Sequence, residues 1–84
     1  VLIGFAADHG AEGLARARAK LENKRLDLVV YNDVSRDDIG FDASENEVTL
    51  IAVDSEESVP KASKREIAAA IVDRAEELLR ERAG

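Results

Sequence analysis

Three basic side chains have a spacing that could bind one anionic ligand. Arg16, Lys20 and Lys24 lie at positions i, i+4 and i+8 of a predicted helix, so they share one helix face. Three cations on one face suit a triphosphate or an acidic partner. The alternative is a solvated face supported by contacts between neighbouring side chains, which is the commoner use of such a pattern. The spacing alone does not decide between the two interpretations.

A second set of candidates lies where two predicted strands end. Ligands of open parallel sheets bind outside the carboxyl ends of the strands, and two such ends occur here, at residues 4–8 (GFAAD) and 31–33 (YND). The small residues 6 and 7 would let a ligand approach the backbone closely. The ring of Phe5 offers a surface for a base or another flat group. In the alternative, Phe5 belongs to the core and the alanines pack under the next helix.

Other polar residues are predicted to have structural roles. Asp8 is predicted to be the N-cap of the following helix, which makes His9 an exposed turn residue. The acidic stretch 32–46 is predicted to be a long surface loop, and it lacks the pattern of an EF-hand calcium site. One histidine and no cysteine exclude multi-histidine and thiolate metal sites. The sequence therefore predicts no metal site.

The first half of the chain is predicted to form a βαβ unit. Residues 1–7 and 26–31 are apolar runs typical of buried strands. Residues 11–24 between them are predicted to be a helix with one apolar stripe. That stripe consists of Leu14, Ala17 or Arg18, and Leu21. A strand, a helix and a strand in this order have a right-handed crossover, so the two strands are expected to be parallel.

The second half is predicted to add a pair of strands. Residues 47–53 alternate between polar and apolar side chains, which indicates a strand. A turn is predicted at 54–57 and a short second arm at 58–62. Because Pro60 cannot donate a ladder hydrogen bond, this arm should be an edge strand.

A final helix is predicted after this arm. Ser63 and Glu66 have the spacing of a capping box, in which each side chain accepts a hydrogen bond from the other residue's amide. The helix then shows an apolar stripe, formed by Ile67, Ile71, Ala75 and Leu78.

Size and charge limit the function classes. Eighty-four residues form one small domain at most. The net charge of −6 is uneven, because residues 27–60 contain ten acidic groups and one basic group. This acidic segment argues against a duplex nucleic-acid binder, which needs a broad basic face. No apolar run reaches the roughly 20 residues of a membrane helix. We expect a cytoplasmic protein without nucleic-acid or membrane partners.

Four motifs in order resemble a known family. They are GFAAD at 4–8, ARAKLENKRLDLVVYNDVS at 17–35, IGFDASENEVTLI at 39–51 and SKREIAAAIVDR at 63–74. Together they resemble the C-terminal part of phosphopantothenoylcysteine synthetase, the ligase half of the bifunctional coenzyme A enzyme of bacteria. The chain has no methionine and opens on Val-Leu-Ile, so we expect residues 1–84 to be the C-terminal portion of such a ligase domain.

The resemblance implies a fold and a reaction. The fold is a Rossmann-like, ribokinase-related, three-layer α/β/α arrangement, represented here by the C-terminal βαβ unit, a β-hairpin and a final helix. CTP, with Mg²⁺ present, activates the carboxylate of 4′-phosphopantothenate as an acyl-cytidylate, and cysteine then forms the amide. The family works as a dimer, and FMN serves only the decarboxylase half of the parent enzyme.

The resemblance also implies site residues. The aromatic residue that contacts the nucleotide in the family falls on Phe5, and two lysines that contact CTP fall on Lys20 and Lys24. Lys20 lies far along the helix from the end of the strand, so its stem must reach back. The glycine-rich loop, the asparagine and the lysine-rich loop of the family do not occur in this sequence, so we expect no catalytic residue here and no activity from these residues alone. The alternative is a non-catalytic α/β module for folding or dimerisation.

Overall fold

The computed structural model describes residues 1–33 and 45–83 of the chain. Four strands and two helices follow one another in these residues. In chain order they are β1 (Ile3–Asp8), α1 (Gly10–Asn23), β2 (Leu28–Asp33), β3 (Glu45–Ala52), β4 (Ser55–Ser63) and α2 (Lys64–Ala83).

The four strands form one mixed sheet between the two helices. The strand order is β1-β2-β3-β4; β1 and β2 are parallel, and the other two pairs are antiparallel. Helix α1 packs on one face of the sheet and α2 on the other. This is the predicted three-layer α/β/α arrangement, with the βαβ unit, hairpin and final helix in the predicted order.

Each face of the sheet has its own apolar cluster, because successive side chains of a strand point to opposite faces. The cluster under α1 consists of Ala17, Leu21, Val29, Tyr31 and Ile51. The cluster under α2 consists of Leu28, Val30, Val48, Leu50 and Ile67. The buried residues of α1 include Ala17 and Leu21 of the predicted stripe, while Leu14 is half-buried.

Several predicted boundaries were wrong. The turn of the hairpin is Val53-Asp54, and residues 55–57 belong to β4. The acidic side chains there misled the prediction, because they lie on an exposed edge strand where charge is tolerated. Strand β2 begins two residues later than predicted and continues through Asp33. The loop predicted at 32–46 falls largely outside the described residues, and its two ends belong to β2 and β3.

The predicted capping box and edge strand are confirmed. The Glu66 amide donates to Ser63 Oγ (3.2 Å), and the Ser63 amide donates to Glu66 Oε1 (3.2 Å). Hydrogen bonds from the side chain and amide of Ser63 lower the pKa of Glu66. Strand β4, which contains Pro60, lies at an edge of the sheet. In the described parts of the chain, neither helix is both long and apolar enough to cross a membrane.

Candidate functional site

Phe5 lies on an open part of the sheet and not in the core. It pairs with Val30 across β1 and β2, which places its side chain on the face covered by α2. The residue is nevertheless 64% exposed, because α2 does not reach over the outer strand at this point. The alternative in which Phe5 is a core residue is therefore wrong for the described structure.

Lys20 reaches back to Phe5. Its Nζ donates a hydrogen bond of 2.8 Å to the carbonyl oxygen of Phe5. Lys20 lies about 15 Å along α1 from Gly10, whereas Phe5 lies about 10 Å before the end of β1. Because the helix runs back along the strand, Lys20 lies only about 5 Å beyond the level of Phe5 along the strand direction. The lysine side chain is long enough to span this offset.

Lys24 does not contact Phe5. It is the C-cap residue of α1, and its side chain is exposed and forms no hydrogen bond or ion pair with any residue that the structure describes. The three basic residues of the predicted stripe therefore have different surroundings. Only Lys20 touches Phe5, and it does so through the backbone and not through the ring.

Arg16, the first residue of the predicted stripe, is engaged by Asp8. Its Nε and Nη2 donate to the two carboxylate oxygens of Asp8 at 2.7 and 2.8 Å. The hydrogen bonds from Arg16 are the largest cause of a lowered pKa at Asp8, about 2. Both partners are therefore ionised near neutral pH, and Arg16 is largely neutralised as a potential ligand for phosphate.

The prediction that Asp8 is the helix N-cap was wrong. Asp8 belongs to β1, and the N-cap is the exposed His9, which makes no side-chain capping hydrogen bond. The Asp8 carboxylate accepts the His9 amide at 2.8 Å, while Asp33 accepts the Gly10 amide at 3.1 Å. Asp8 and Asp33 are register partners on β1 and β2. The first turn of α1 is thus held by two carboxylates of the chain itself, one of them from the next strand.

The start of α1 is packed tightly against these strands. Tyr31 Oη donates to the Gly10 carbonyl oxygen at 2.9 Å, and burial is the main cause of a raised pKa at Tyr31. Gly10 has a φ of +55°, which favours glycine. A Cβ at Gly13 would lie 2.5 Å from Tyr31 Oη and 2.7 Å from the Cβ of Asp8. A phosphate at this helix end would meet the carboxylates of Asp8 and Asp33, which already accept the His9 and Gly10 amides, so the electrostatics argue against it.

An apolar groove lies on the opposite face of the sheet, between β1 and the first turns of α2. Its volume is about 500 Å³. Phe5 lines it together with Ala6, Ala7, Val30, Asn32, Val48, Lys64, Ile67, Ala68 and Ile71. Such a groove, mostly apolar with few polar groups, is the usual form of a small-ligand site. Sequence reasoning found Phe5 and the strand end at residues 31–33, but it did not single out Asn32 or Lys64.

The described residues offer no obvious place for a metal ion. No group of three or more histidine, cysteine, aspartate or glutamate side chains in residues 1–33 and 45–83 could hold one. Asp8 and Asp33 already accept hydrogen bonds from Arg16 and from the start of α1. A magnesium ion at this site would thus need ligands other than a cluster formed by these residues.

Comparison with known proteins gives consistent matches. The family model described as the DNA/pantothenate metabolism flavoprotein C-terminal domain matches residues 1–79. The Coenzyme A biosynthesis bifunctional protein CoaBC of Vibrio vulnificus is 38% identical over 77 residues, which cover 92% of this chain and 19% of that protein. The protein of the same name from Thermococcus kodakarensis is 36% identical over 81 residues, covering 93% of this chain and 19% of its own length.

Solved structures agree with these sequence matches. The crystal structure of the C-terminal domain of a Coenzyme A biosynthesis bifunctional protein CoaBC superposes with a TM-score of 0.78 at 33% identity, covering 96% of this chain and 38% of that one. The DNA/pantothenate metabolism flavoprotein from Streptococcus pneumoniae superposes with a TM-score of 0.70 at 22% identity, covering 90% of this chain and 33% of that one; this second likeness concerns the fold alone. The present chain thus spans about a fifth of the length of its curated relatives.

Proposed function

The chain belongs to the DNA/pantothenate metabolism flavoprotein C-terminal domain family, and from this membership we propose that it forms part of the CTP site of a phosphopantothenate–cysteine ligase in coenzyme A biosynthesis. In that reaction the carboxylate of 4′-phosphopantothenate attacks CTP, pyrophosphate leaves and an acyl-cytidylate forms. The amine of cysteine then displaces CMP to give the amide. The role proposed for this chain is to hold the nucleotide during the first step.

One observation supports this role above the others. The Lys20 ammonium lies 2.8 Å from the Phe5 carbonyl oxygen, at the outer edge of β1, while the Phe5 ring is exposed on the opposite face of the same strand. An ammonium group has three donors, so Lys20 retains two for phosphate oxygens after bonding the backbone. A flat base on the ring and a phosphate at Lys20 would place one nucleotide across the edge of β1.

Lys24 has a lesser role in this proposal. It lies one helical turn beyond Lys20, about 6 Å further along the axis of α1, and no described contact fixes its exposed side chain. A flexible lysine in this position attracts the triphosphate through charge more than through a fixed hydrogen bond. We therefore expect its removal to weaken nucleotide binding less than the removal of Lys20.

For the metal, the flavin and the oligomeric state, the proposal concerns the whole enzyme and assigns no residue of this chain. Mg²⁺ would arrive with the phosphates of CTP, since Mg²⁺ commonly binds through substrate phosphates and water. FMN would belong to a decarboxylase half, and we assign it no residue here. We also propose that the whole enzyme is a cytoplasmic dimer that uses 4′-phosphopantothenate, cysteine and CTP. Sedimentation of the full-length protein would test the dimer.

The test is nucleotide activation by the full-length protein with single substitutions. Pyrophosphate release from CTP, 4′-phosphopantothenate and Mg²⁺ reports formation of the acyl-cytidylate. Lys20→Ala should raise the KM for CTP about 10- to 100-fold, because it removes a charge-assisted contact. Phe5→Ala should raise it about tenfold through lost ring contacts. Lys24→Ala should give the smallest increase of the three.

Two matched substitutions on α2 serve as controls. Arg80→Ala removes an exposed positive charge, and Leu79→Ala removes an exposed apolar side chain; both lie on the last turns of α2, beyond the residues of this helix that line the groove. The KM for CTP should not change in either. If Phe5→Ala and Lys20→Ala behave like these controls, the site assignment is wrong. That result would favour a non-catalytic role in folding or dimerisation.

A further inference from the structure

The groove beside Phe5 has a polar end that the proposed function has not used. Of the described residues that line it, Asn32 is the only uncharged polar residue and Lys64 the only charged one. Asn32 lies in the last part of β2, on the same face as Val30, and pairs in register with Ala7. It thus lies about 7 Å beyond Val30, the partner of Phe5, toward the carboxyl end of the strand.

The side-chain amide of Asn32 is unused by the described structure. It is half-buried, yet it forms no hydrogen bond with any residue in 1–33 or 45–83. An asparagine with a purely local role at a strand end usually bonds to nearby backbone groups. The neighbouring carboxylate has a structural partner, since Asp33 accepts the Gly10 amide of α1. The Asn32 amide instead faces a groove of about 500 Å³, the size range of small-molecule sites.

We propose that Asn32 recognises the polar edge of the nucleotide's pyrimidine base while the base lies against the Phe5 ring. This inference rests on the proposed CTP site and adds a residue that determines which base it accepts. The amide has one carbonyl acceptor and two N–H donors, which match the exocyclic amine and the ring N3 of cytosine. The apolar floor of the groove, formed by residues such as Val30 and Ile67, gives the rest of the base an apolar surface to pack against.

The test compares CTP with a base-modified analogue that lacks only the exocyclic amine, pyrimidin-2-one ribonucleoside triphosphate. The full-length protein should use CTP with a kcat/KM about tenfold higher than that of the analogue, which is the value of one hydrogen bond. Asn32→Leu keeps the size of the side chain but removes the amide. In this variant the ratio between the two nucleotides should fall to near one.

Two further variants separate recognition from damage to the fold. Asn32→Asp keeps an acceptor for the amine and should keep a preference for CTP, although both nucleotides bind more weakly because the carboxylate faces N3. Asn23→Leu removes an exposed amide at the end of α1, and its preference should equal that of the unsubstituted protein. Circular dichroism of each variant shows whether the fold is retained.

The possible results point to different conclusions. A preference for CTP that survives in Asn32→Leu overturns the role of Asn32, as does an unsubstituted protein that does not distinguish the two nucleotides. Either result leaves the proposed CTP site intact if Phe5→Ala and Lys20→Ala still raise the KM for CTP. Failure of those two substitutions would instead refute the site itself. A lost preference in Asn32→Leu, with Asn23→Leu unchanged, supports the inference.

Discussion

The side chains on the two faces of β1 differ in how far they are paired or covered by other residues. On the α1 face, the Asp8 carboxylate bonds Arg16 and the His9 amide, and Ala6 packs against the cluster under α1. On the α2 face, the Phe5 ring is 64% exposed, and the adjacent Asn32 amide bonds no described residue. Only two residues separate Phe5 from Asp8 along one strand, so the contrast arises from the packing of the helices on either side.

This difference distinguishes polar side chains that stabilise the fold from polar side chains that are available to a ligand. The two carboxylates at the start of α1 each have an internal partner that explains them. The groove is lined by few polar side chains, and among these the Asn32 amide forms no hydrogen bond with a described residue. A solvent-accessible amide of this kind can bind a ligand without first losing an internal partner, which a paired carboxylate cannot do. The predictions below test whether one face is closed and the other open.

The largest expected effect concerns the closed packing of α1. Leu21 is 2% exposed under this helix, whereas Leu79 on α2 is 50% exposed. Leu21→Ala should lower the free energy of unfolding by about 2–5 kcal/mol, since it leaves a cavity in the core. Leu79→Ala, the same change at an exposed position, should lower it by about 0.5 kcal/mol or less. Urea unfolding followed by circular dichroism measures both, and equal costs would contradict the assignment of these two environments.

Gly13 should come next, because it sets how closely α1 approaches the strands. Gly13→Ala would place a Cβ 2.5 Å from Tyr31 Oη and 2.7 Å from the Cβ of Asp8. The helix must then move outward, at a cost of about 1–3 kcal/mol. Alanine's higher helix propensity offsets up to about 1 kcal/mol of this cost. A Gly13→Ala variant more stable than the original protein in urea unfolding would show that the α1 face is loosely packed.

Much of the fold followed from local sequence patterns. The apolar runs around residues 3 and 28, the stripe of α1 and the capping box at Ser63 each predicted an element that the structure contains. These signals are local, because periodicity and capping depend on residues within a few positions of one another. The hairpin turn was misplaced because the exposed edge strand has the same acidic composition as a turn.

The candidate site could be predicted only in part. Motif order and strand ends led to Phe5 and Lys20, and the structure places them in contact. The sequence did not show that Asp33 holds the start of α1, because this bond joins residues 23 positions apart. Nor did it show that Asn32 lies in the groove without a hydrogen bond to any described residue. Which polar group is already satisfied depends on tertiary contacts, and no local pattern contains that information.

A smaller effect is expected from the Asp8–Arg16 pair, since the Arg16 side chain is 59% exposed and exposed pairs contribute little. The pKa of Asp8 is lowered from 3.8 to about 2 in the folded protein. The pair therefore stabilises the fold fully above pH 4, and this contribution is lost as the pH falls through about 2. Asp8→Asn should be less stable than the original protein near pH 6, with a difference that shrinks toward pH 2.

Arg16→Gln provides the matched control for this pair, because it removes the partner and leaves the carboxylate. It should remove the same pH-dependent component, and the double variant should lose little more than either single one. Urea unfolding at several pH values between 2 and 6 measures these differences. A constant difference between Asp8→Asn and the original protein over that range would show that the ion pair does not form.

The smallest effect on stability should come from Phe5, and this result distinguishes the two faces most directly. Phe5→Ala should change the free energy of unfolding by about 0.5 kcal/mol or less, because the residue is largely exposed. Its register partner Val30 is 5% exposed on the same face, and Val30→Ala should cost about 1.5–3 kcal/mol. A large aromatic residue that adds little to stability but whose loss raises the KM for CTP contributes to binding and not to folding. If Phe5→Ala costs as much as Val30→Ala, other parts of the full-length protein cover the ring, and the groove is part of its core.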